Sequence, residues 1–482
     1  MGSGFGGLCS AVLLAKQGYD VTVLEKNARL GGRAMTFDQK GYHFDMGPSW
    51  YLMPEVFEDY FKLFGKDITQ YIKLHPLDPM YRMFFSPTDH VDIVRSLDKN
   101  LKLFESFEKG AGASIKAYLD ESKVQYDIAM KYFLYTEFRT IFDFLKPQLF
   151  TVGKKVPVLK NLQDHIASYT RDPRLQKILG YTMVFLGGAP SNTPALYSLM
   201  SHVDYNLGVF YPMGGFGALV DAFVKLGKEY GVRYITSHPV IKIETERGKA
   251  TTVKTTKKNF SADIVLANAD YQHVESKLLN ENDRSYSSSY WESKTLAPSA
   301  FIIHLGMKGR VPNLQHHNLI LTQDWQKHFD AIFDKPKWPQ KPSYYVCCPT
   351  KTDTTIAPKN CDELFILVPV AAGLKDTPQK RKKYYEKIMD DLELHINYPI
   401  RKNITYKRMY AHNDFATDYN AYKGTALGLA HTLSQTAILR PAMKSKKVSN
   451  LYFVGQYTQP GIGVPIAVIS AQLAAKRICE EN

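Results

Sequence analysis

Residues 1–33 read MGSGFGGLCSAVLLAKQGYDVTVLEKNARLGGR, and the fold class follows from this stretch. Gly2, Gly4 and Gly7 match the spacing G-x-G-x-x-G. In that pattern the first glycine permits a tight turn, the second lets the backbone approach a pyrophosphate, and the third lets a helix pack closely on a sheet. The apolar positions that follow predict a helix, and residues 20–24 predict a buried parallel strand. The stretch therefore predicts a Rossmann-like dinucleotide-binding unit.

An acidic residue ends the predicted strand. Glu25 lies about 20 residues beyond the glycines, where a carboxylate can bind the ribose hydroxyls of an adenine dinucleotide. Gly31, Gly32 and Arg33 then place flexible backbone and a guanidinium where a second phosphate or a ribityl chain would lie. This combination favours FAD over NAD. The alternative is a glycine turn with a solvent-exposed arginine.

Length and charge limit the function classes. The chain has 482 residues, 44% of them hydrophobic, which is enough for two or three globular domains. Its net charge of +14 suggests an anionic partner, either a membrane surface or nucleic acid. The basic residues are dispersed and match no nucleic-acid motif, so we expect no nucleic-acid partner. No long uncharged apolar run or signal peptide is evident, and we expect a cytoplasmic location.

The cysteine and histidine pattern predicts no metal site. None of the five cysteines forms a C-x-x-C pair or has a histidine at metal-ligand spacing, so we expect reduced, structural thiols. His316 and His317 suggest a metal site at first sight. We interpret them otherwise, because adjacent side chains on a strand point to opposite faces.

Flavin-type features recur later in the chain. Residues 211–219 predict a glycine turn that leads into a helix from Leu219 to Tyr230, and residues 262–270 predict a buried strand with small polar residues at its end. At the C-terminus, residues 450–455 predict a strand, a glycine-rich loop follows, and a helix is predicted from Ile466 to Ile478. Such a strand, loop and helix place exposed N–H groups beside a phosphate or ring.

The C-terminal stretch NLYFVGQYTQPGIGVPIAVISAQLAAKRI resembles the flavin signature of the bacterial phytoene desaturase family of carotenoid oxidoreductases. YPMGGFGALVDAF, LGGAPSNTPALYSLMSHVD and NAYKGTALGLAHTLSQTAILRP also resemble that family, so the resemblance covers essentially the whole chain. The chain departs from the family pattern at four positions: Phe216 where threonine is usual, Gln456 and Gln459 where alanine and histidine are usual, and Asp204 where glutamate is common.

The resemblance implies FAD and a linear, lipophilic polyene substrate such as phytoene. We expect oxygen or quinone as the electron acceptor. The resemblance also implies peripheral attachment to the cytoplasmic membrane that stores the substrate. Segments 45–48 and 463–465 correspond to those that line the isoalloxazine in the family. From these segments and the motifs described above, we predict that twelve residues form the cofactor site: Gly2, Gly4, Gly7, Glu25, Gly32, Arg33, Gly47, Pro48, Val240, Gly455, Gly463 and Val464.

The family also has an acidic residue followed three positions later by a basic one, proposed for acid–base catalysis. Asp143 and Lys146 occupy these positions, and the alternative is an ordinary surface ion pair. Aromatic and basic residues over 126–155 predict a segment at the bilayer interface. The alternative for that segment is a helical cap with a buried aromatic face.

We predict an α/β fold with a Rossmann-like FAD-binding domain, an interleaved substrate-binding sheet domain and a helical membrane-associated domain. The cofactor domain takes residues 1–60, 205–285 and 440–482, the substrate domain residues 61–95 and 286–439, and the helical domain residues 96–204. The predicted function is FAD-dependent desaturation of a phytoene-type polyene by hydride transfer. Alternatives are a dehydrosqualene desaturase, a carotenoid 3,4-desaturase, a ketolase-like enzyme, or a non-enzymatic prenyl-binding protein of GDP-dissociation-inhibitor type.

The position of the glycine turn raises a further expectation. A Rossmann unit begins with a strand covered on both faces, and Met1 leaves no room for that strand before Gly2. Losing about five buried apolar side chains would remove about 8–15 kcal/mol, comparable to the net stability of a domain. We therefore expect the native gene to encode further apolar residues upstream of Met1.

Overall fold

The computed structural model describes residues 1–145, 160–189, 191, 193–321 and 324–482. Its α-helices are Phe5–Lys16, Pro54–Lys62, Leu97–Phe107, Ala111–Ile128, Leu162–Ala167, Pro173–Gly180, Leu199–His202, Gly215–Glu229, Tyr271–His273, Ser288–Glu292, Trp325–Ile332, Pro378–Ile396, His412–Tyr419 and Val464–Glu481. Its strands are Thr22–Leu24, Thr36–Gln39, Tyr42–Asp45, Leu74–Pro76, Tyr81–Ser86, Asp89–Ile93, Phe210–Pro212, Arg233–Ile235, Val240–Glu246, Lys249–Thr255, Asn259–Ser261, Val265–Ala267, Ser299–Met307, His317–Ile320, Tyr344–Cys347, Asp362–Val370, Ile404–Tyr410 and Leu451–Phe453.

Two pairs of short parallel strands carry the predicted dinucleotide-binding unit. Thr22–Leu24 pairs with Arg233–Ile235, and Val265–Ala267 pairs with Leu451–Phe453. The helix Phe5–Lys16 packs against the helices Gly215–Glu229 and Val464–Glu481 through buried apolar side chains. The predicted α/β class and the order of strand, glycine loop and helix are therefore confirmed.

The first two residues lie between these strand pairs. The Met1 amine donates to the Leu266 carbonyl over 2.7 Å, and the Met1 carbonyl accepts from the Asn268 N–H over 2.8 Å. On the other side, the Gly2 N–H donates to the Leu24 carbonyl over 2.8 Å. Backbone hydrogen bonds thus place the glycine turn at the carboxyl ends of both neighbouring strands, which is where such folds bind ligands.

A seven-stranded sheet forms the second layer. Its order is Ile404–Tyr410, Ser299–Met307, Asp362–Val370, Tyr344–Cys347, His317–Ile320, Tyr81–Ser86 and Asp89–Ile93. All neighbours are antiparallel except the pair formed by the fifth and sixth strands. The long helix Pro378–Ile396 covers one face with Ile388, Met389 and Leu392, all fully buried. The other face is left to form the wall of an internal cavity.

Helices between residues 97 and 202 pack over that second face. Phe104, Ile115 and Leu119 share one apolar core with side chains of the sheet. The division into three domains stays a prediction. Lys146, Lys154 and Lys155 of the predicted interfacial segment lie outside the described residues. Within the described part of the chain, no helix has the length and apolar character needed to cross a bilayer.

Candidate active site

One cavity of about 990 Å³ runs from the glycine turn to the inner face of the seven-stranded sheet. We call the end at the glycine turn the cradle, and the end at the sheet the apolar end. The predicted cofactor residues that line the cradle are Gly2, Gly4, Glu25, Gly32, Arg33, Gly47, Pro48, Val240, Gly455, Gly463 and Val464. The fold therefore brings together residues that are up to 462 positions apart in the sequence.

Gly7 packs behind the cradle wall. A Cβ atom at this position would lie 2.2 Å from the Gly2 carbonyl oxygen, a distance that no side chain tolerates. This is the packing role predicted for the third glycine. Gly4 stands directly before the helix Phe5–Lys16, whose first N–H groups have no partner within the helix. These donors and the helix dipole favour an anion at this point.

Asn268 is a cradle residue that the sequence did not reveal. Its side chain fills the gap between two glycine loops: a Cβ atom on Gly6 would lie 2.5 Å from Asn268 Oδ1, and one on Gly455 would lie 2.9 Å from the same oxygen. The small polar residues at the end of the strand Val265–Ala267 were a signal, but nothing in the sequence related them to the glycines. The contact between the two loops exists only in the fold.

Glu25 lines the cradle at the end of its strand and is 4% exposed. One carboxylate oxygen accepts from the Ser3 N–H over 2.9 Å and from the Ser3 hydroxyl over 2.7 Å. The other accepts from the Asn27 N–H over 2.8 Å. These bonds fix the carboxylate in one orientation, and Oε1, which accepts only the bond from Asn27, keeps lone-pair capacity for a ribose hydroxyl.

Arg33 supplies an unpaired cation to the cradle. Its Nε and one terminal nitrogen are buried and find no hydrogen-bond partner among the described residues, and its guanidinium lies 5.2 Å from the centre of the Tyr419 ring. Gly32 approaches the first loop closely, since a Cβ atom there would lie 3.0 Å from the Gly4 Cα. Buried N–H donors without an acceptor are costly, so these two nitrogens call for an anionic or oxygen-rich ligand.

The segment at Gly47 is held against two other parts of the site. A Cβ atom on Gly47 would lie 2.6 Å from the Arg33 carbonyl oxygen. Two positions earlier, the Asp45 carboxylate accepts from the N–H groups of Phe216 and Gly217 over 2.9 and 3.2 Å. Burial raises the pKa of Asp45 to about 6, although these hydrogen bonds oppose the shift. Through its two hydrogen bonds, the Asp45 carboxylate ties this segment to the start of the helix Gly215–Glu229.

The cradle residues fit FAD. The fixed Glu25 carboxylate suits ribose hydroxyls, the N–H groups at the start of the first helix suit a pyrophosphate, and the unpaired Arg33 nitrogens suit further oxygens. Gly455 and Gly463, with φ of +102° and +128°, give the C-terminal loop a backbone that only glycine adopts readily. That loop allows close approach of a planar ring at the start of the helix Val464–Glu481.

The apolar end has a different chemistry. It is lined by Leu319, Leu321, Leu367 and Phe415. Leu319 and Leu321 are close in sequence, and the other two residues come from separate parts of the sheet and its covering elements. Such a surface suits a long hydrocarbon. No short sequence pattern announces it, because its residues are brought together by strand pairing over long sequence separations.

Two hydrogen-bond donors interrupt this apolar surface. Trp325 and His328 both line the cavity, and Trp325 Nε1 and His328 Nε2 are buried without a partner in the described part of the chain. His328 Nδ1 accepts from the Ser343 N–H over 3.4 Å, which assigns the ring proton to Nε2. Both groups are therefore donors in need of an acceptor.

The predicted catalytic pair is not assembled at the cavity by the described residues. Asp143 lies in the short turn Ile141–Leu145, where its carboxylate accepts from the N–H groups of Arg139 and Thr140, each over 2.8 Å. It does not line the cavity. Lys146 lies outside the described residues. A catalytic role for the pair stays a prediction.

The expectation that His316 and His317 point to opposite faces is wrong. The strand begins at His317, so His316 precedes it, and the ring centres lie only 4.5 Å apart. With Cys347 they form a buried group whose potential ligand atoms all lie within 4.8 Å of one another. His316 Nδ1 is 2.7 Å from the Thr352 hydroxyl, and His317 Nδ1 is 2.6 Å from the Tyr345 hydroxyl.

Comparison with known proteins gives one consistent answer. The sequence profile of the family described as flavin containing amine oxidoreductase matches residues 5–479. A carotenoid 3,4-desaturase of Haloarcula japonica is 46% identical over 483 residues, covering 100% of this chain and 97% of the relative. A zeta-carotene-forming phytoene desaturase of Myxococcus xanthus is 32% identical, covering 99% of this chain and 93% of the relative.

Solved structures agree on the fold. An oxidoreductase from Methanosarcina mazei is similar with a TM-score of 0.65 at 18% identity, covering 98% of each chain. Wild-type putrescine oxidase bound to putrescine is similar with a TM-score of 0.64 at 14% identity, covering 99% of this chain and 98% of the other. At these identities the likeness concerns the architecture alone.

Proposed function

The chain belongs to the flavin-containing amine oxidoreductase family and, within it, resembles carotenoid desaturases, and we propose that it is an FAD-dependent desaturase of a carotenoid polyene. The observation that carries this proposal is a continuous cavity of about 990 Å³ that joins a glycine-rich cradle to an apolar end. A polyene held at the apolar end would lie next to a cofactor held in the cradle. A non-enzymatic prenyl-binding protein is not favoured, because it would not need a complete cradle.

When bound, FAD supplies the acceptor for the hydride that leaves the substrate carbon. The chain's own residues have other tasks. Glu25 and the N–H groups after Gly4 hold the dinucleotide part, and Arg33 pairs with its oxygens. Leu319, Leu321 and Leu367 bind the hydrocarbon and exclude water from the reacting carbons. We propose oxygen or quinone as the terminal electron acceptor.

Expression in cells that accumulate phytoene or another acyclic carotenoid tests this function. Each added double bond lengthens the conjugated system, so we expect the pigment spectrum to shift to the red. The purified protein should also carry a yellow cofactor. A colourless protein that leaves the pigment spectrum unchanged would contradict the proposal.

The two unpaired donors favour a particular kind of substrate. Trp325 Nε1 and His328 Nε2 would pair with an oxygen on the end group of the polyene, whereas a pure hydrocarbon would leave them unsatisfied. We therefore propose that the natural substrate carries a hydroxyl or carbonyl near one end of the polyene. His328→Leu should lower kcat/KM for such a polyene about 10- to 100-fold, with little change for a hydrocarbon analogue.

We also propose peripheral attachment to the cytoplasmic membrane. Ile141 and Phe142 are 60% and 72% exposed in a chain whose net charge is +14. Binding to anionic liposomes should fall with salt but retain an apolar remainder. Replacing Phe142 by aspartate should reduce that remainder, while the same change at Leu394, which is 62% exposed on the helix Pro378–Ile396, should not. Equal recovery in the supernatant with and without liposomes would contradict docking.

A further inference from the structure

A buried carboxylate lies directly behind the cavity wall. Asp204 is 2% exposed, and one of its oxygens, Oδ2, accepts from the Tyr81 hydroxyl over 2.6 Å and from the Tyr181 hydroxyl over 2.9 Å. Its other oxygen, Oδ1, is buried and finds no hydrogen-bond partner among the described residues. The Tyr205 hydroxyl completes the cluster at 3.4 Å from that of Tyr81.

No cation of the described residues forms an ion pair with this carboxylate. The titratable groups that face the Asp204 carboxylate are three phenols. They belong to Tyr81 at the start of the strand Tyr81–Ser86, to Tyr181, and to Tyr205, the residue that follows Asp204 in the sequence. Burial raises the pKa of Asp204 to about 7, although the hydrogen bonds from Tyr81 and Tyr181 oppose the shift. A carboxyl group in this environment can change its protonation state near neutral pH.

Tyr181 connects the carboxylate to the cavity. Tyr181 lines the cavity, and its ring centre lies 6.2 Å from that of Trp50, which also lines it. Trp50 comes two residues after Pro48 of the cradle, so Tyr181 lies at the boundary between the cradle and the apolar end. This boundary is where the reacting carbons of a bound polyene would meet a cofactor.

Two buried acids that line the cavity are committed elsewhere. Glu25 is fixed by Ser3 and Asn27. Asp270 also lines the cradle, but its carboxylate accepts from the Tyr457 hydroxyl over 2.6 Å and from two backbone N–H groups. Asp204 differs because one of its oxygens has no donor among the described residues and, unlike Glu363, whose Oε2 also lacks a donor, it is bonded by a tyrosine that lines the cavity.

We propose that Tyr181 and Asp204 form the path by which the proton leaves the substrate. The inference rests on the proposed desaturation. Forming one C=C bond removes two hydrogens from neighbouring carbons: one leaves as hydride to the cofactor, and the electrons of the second C–H bond become the new π bond. The proton of that second bond passes to Tyr181 Oη while the Tyr181 proton passes to Asp204 Oδ2. Tyr181 is the catalytic residue, and Asp204 is a positioning residue that acts through it.

The test compares Tyr181→Phe and Asp204→Asn with Tyr118→Phe, a control at a buried tyrosine that bonds Ser201 and does not line the cavity. The rate of anaerobic flavin reduction by a carotenoid is followed by visible absorbance in the holoenzymes. In the wild type the rate should rise with pH through about 7, because ionised Asp204 is the acceptor. Both test variants should lose about 10²–10⁴-fold in rate, and that pH inflection with it, while Tyr118→Phe keeps both.

Stability supplies a second readout that needs no turnover. Asp204 holds a proton more tightly in the folded than in the unfolded chain, so its contribution to folding is fully present below pH 3.8 and is lost as the pH rises to about 7. Asp204→Asn should therefore flatten the fall of Tm over this range.

Three outcomes would overturn the inference. The first is an Asp204→Asn protein that keeps the wild-type rate and pH inflection, and the second is equal loss in the Tyr118→Phe control. The third outcome applies if Asp204→Asn does not retain FAD. In that case, a Tyr181→Phe enzyme that reduces its flavin at the wild-type rate would overturn the inference. A wild-type holoenzyme that no carotenoid reduces contradicts the proposed function as well, which separates that failure from failure of the proton path alone.

Discussion

The two ends of the cavity are built by different means. The cradle consists mainly of backbone, which glycines at residues 2–7, 31–32 and 455–463 bring within reach of a ligand. The apolar end consists of side chains, such as Leu319, Leu367 and Phe415, from distant parts of the chain. A site made of backbone needs residues of one type at fixed short spacings, so it leaves a readable pattern. A site made of apolar side chains needs only volume and shape, which many sequences satisfy.

The largest effect should come from adding one methyl group to the cradle. In Gly7→Ala the new Cβ would meet the Gly2 carbonyl oxygen at 2.2 Å, so the helix must move away from the turn. We expect the protein to lose its bound FAD, measured by flavin absorbance. We also expect the free energy of unfolding to fall by about 1–3 kcal/mol, measured by thermal unfolding. Gly65→Asn is the control, since Gly65 has φ of +68° and no heavy atom within 4 Å of an added Cβ. Full FAD occupancy in Gly7→Ala would refute the packing argument.

Glu25→Ala should weaken FAD binding without unfolding the chain. Removing the carboxylate deletes a ribose partner and takes away the acceptor of the Ser3 and Asn27 donors, so the Kd for FAD should rise about 5- to 150-fold. The Kd is measured by fluorescence titration of the apoprotein with FAD. Asp38→Ala, which removes an exposed carboxylate outside the cavity, should leave the Kd unchanged. An unchanged Kd in Glu25→Ala would exclude its cofactor role.

The opposite end can be blocked separately. Leu321→Trp should fill part of the apolar end, so we expect kcat/KM for a long polyene to fall about 5- to 150-fold. FAD binding should not change, because Leu321 contributes to the other end. Leu63→Trp, at a site that is 43% exposed, controls for the added ring. Parallel losses of FAD and activity in Leu321→Trp would mean that the two ends are not independent.

The smallest effect is expected at Asp143. Its carboxylate caps a surface turn, so Asp143→Ala should lower the Tm slightly and leave FAD bound. Single-turnover flavin reduction decides between the two roles. A rate near that of the wild type would make Asp143 structural, whereas a large fall at normal FAD occupancy would support the catalytic prediction made from the family pattern.

Where the signal is local, the sequence indicates residues that the fold gathers at one end of the cavity, and their cofactor role stays a prediction. The spacing of Gly2, Gly4 and Gly7 and the position of Glu25 predicted the cradle, because helix, turn and strand have fixed lengths. Sequence reasoning missed Asn268, whose contacts with both glycine loops arise only when two strand pairs assemble. The link between Tyr181 and Asp204 was equally invisible, since 23 residues separate them and no periodicity relates them.

The histidines show why local rules also mislead. Alternation of side chains holds inside a strand, and His316 stands one residue before the strand begins. The end of a strand is the feature that sequence patterns locate least well. A one-residue difference therefore turned an expected separation of His316 and His317 into a contact at 4.5 Å.

The unpaired nitrogens of Arg33 have a consequence for the life of the protein in the cell. In a newly made chain without flavin, the two buried Arg33 nitrogens have no hydrogen-bond partner among the described residues. A ligand at 100 times its Kd adds about 2.7 kcal/mol to the stability of the folded state. Proteases remove chains from the unfolded population, so a chain short of flavin is degraded sooner. The amount of enzyme, and with it the amount of pigment, should follow the supply of riboflavin even when transcription is constant.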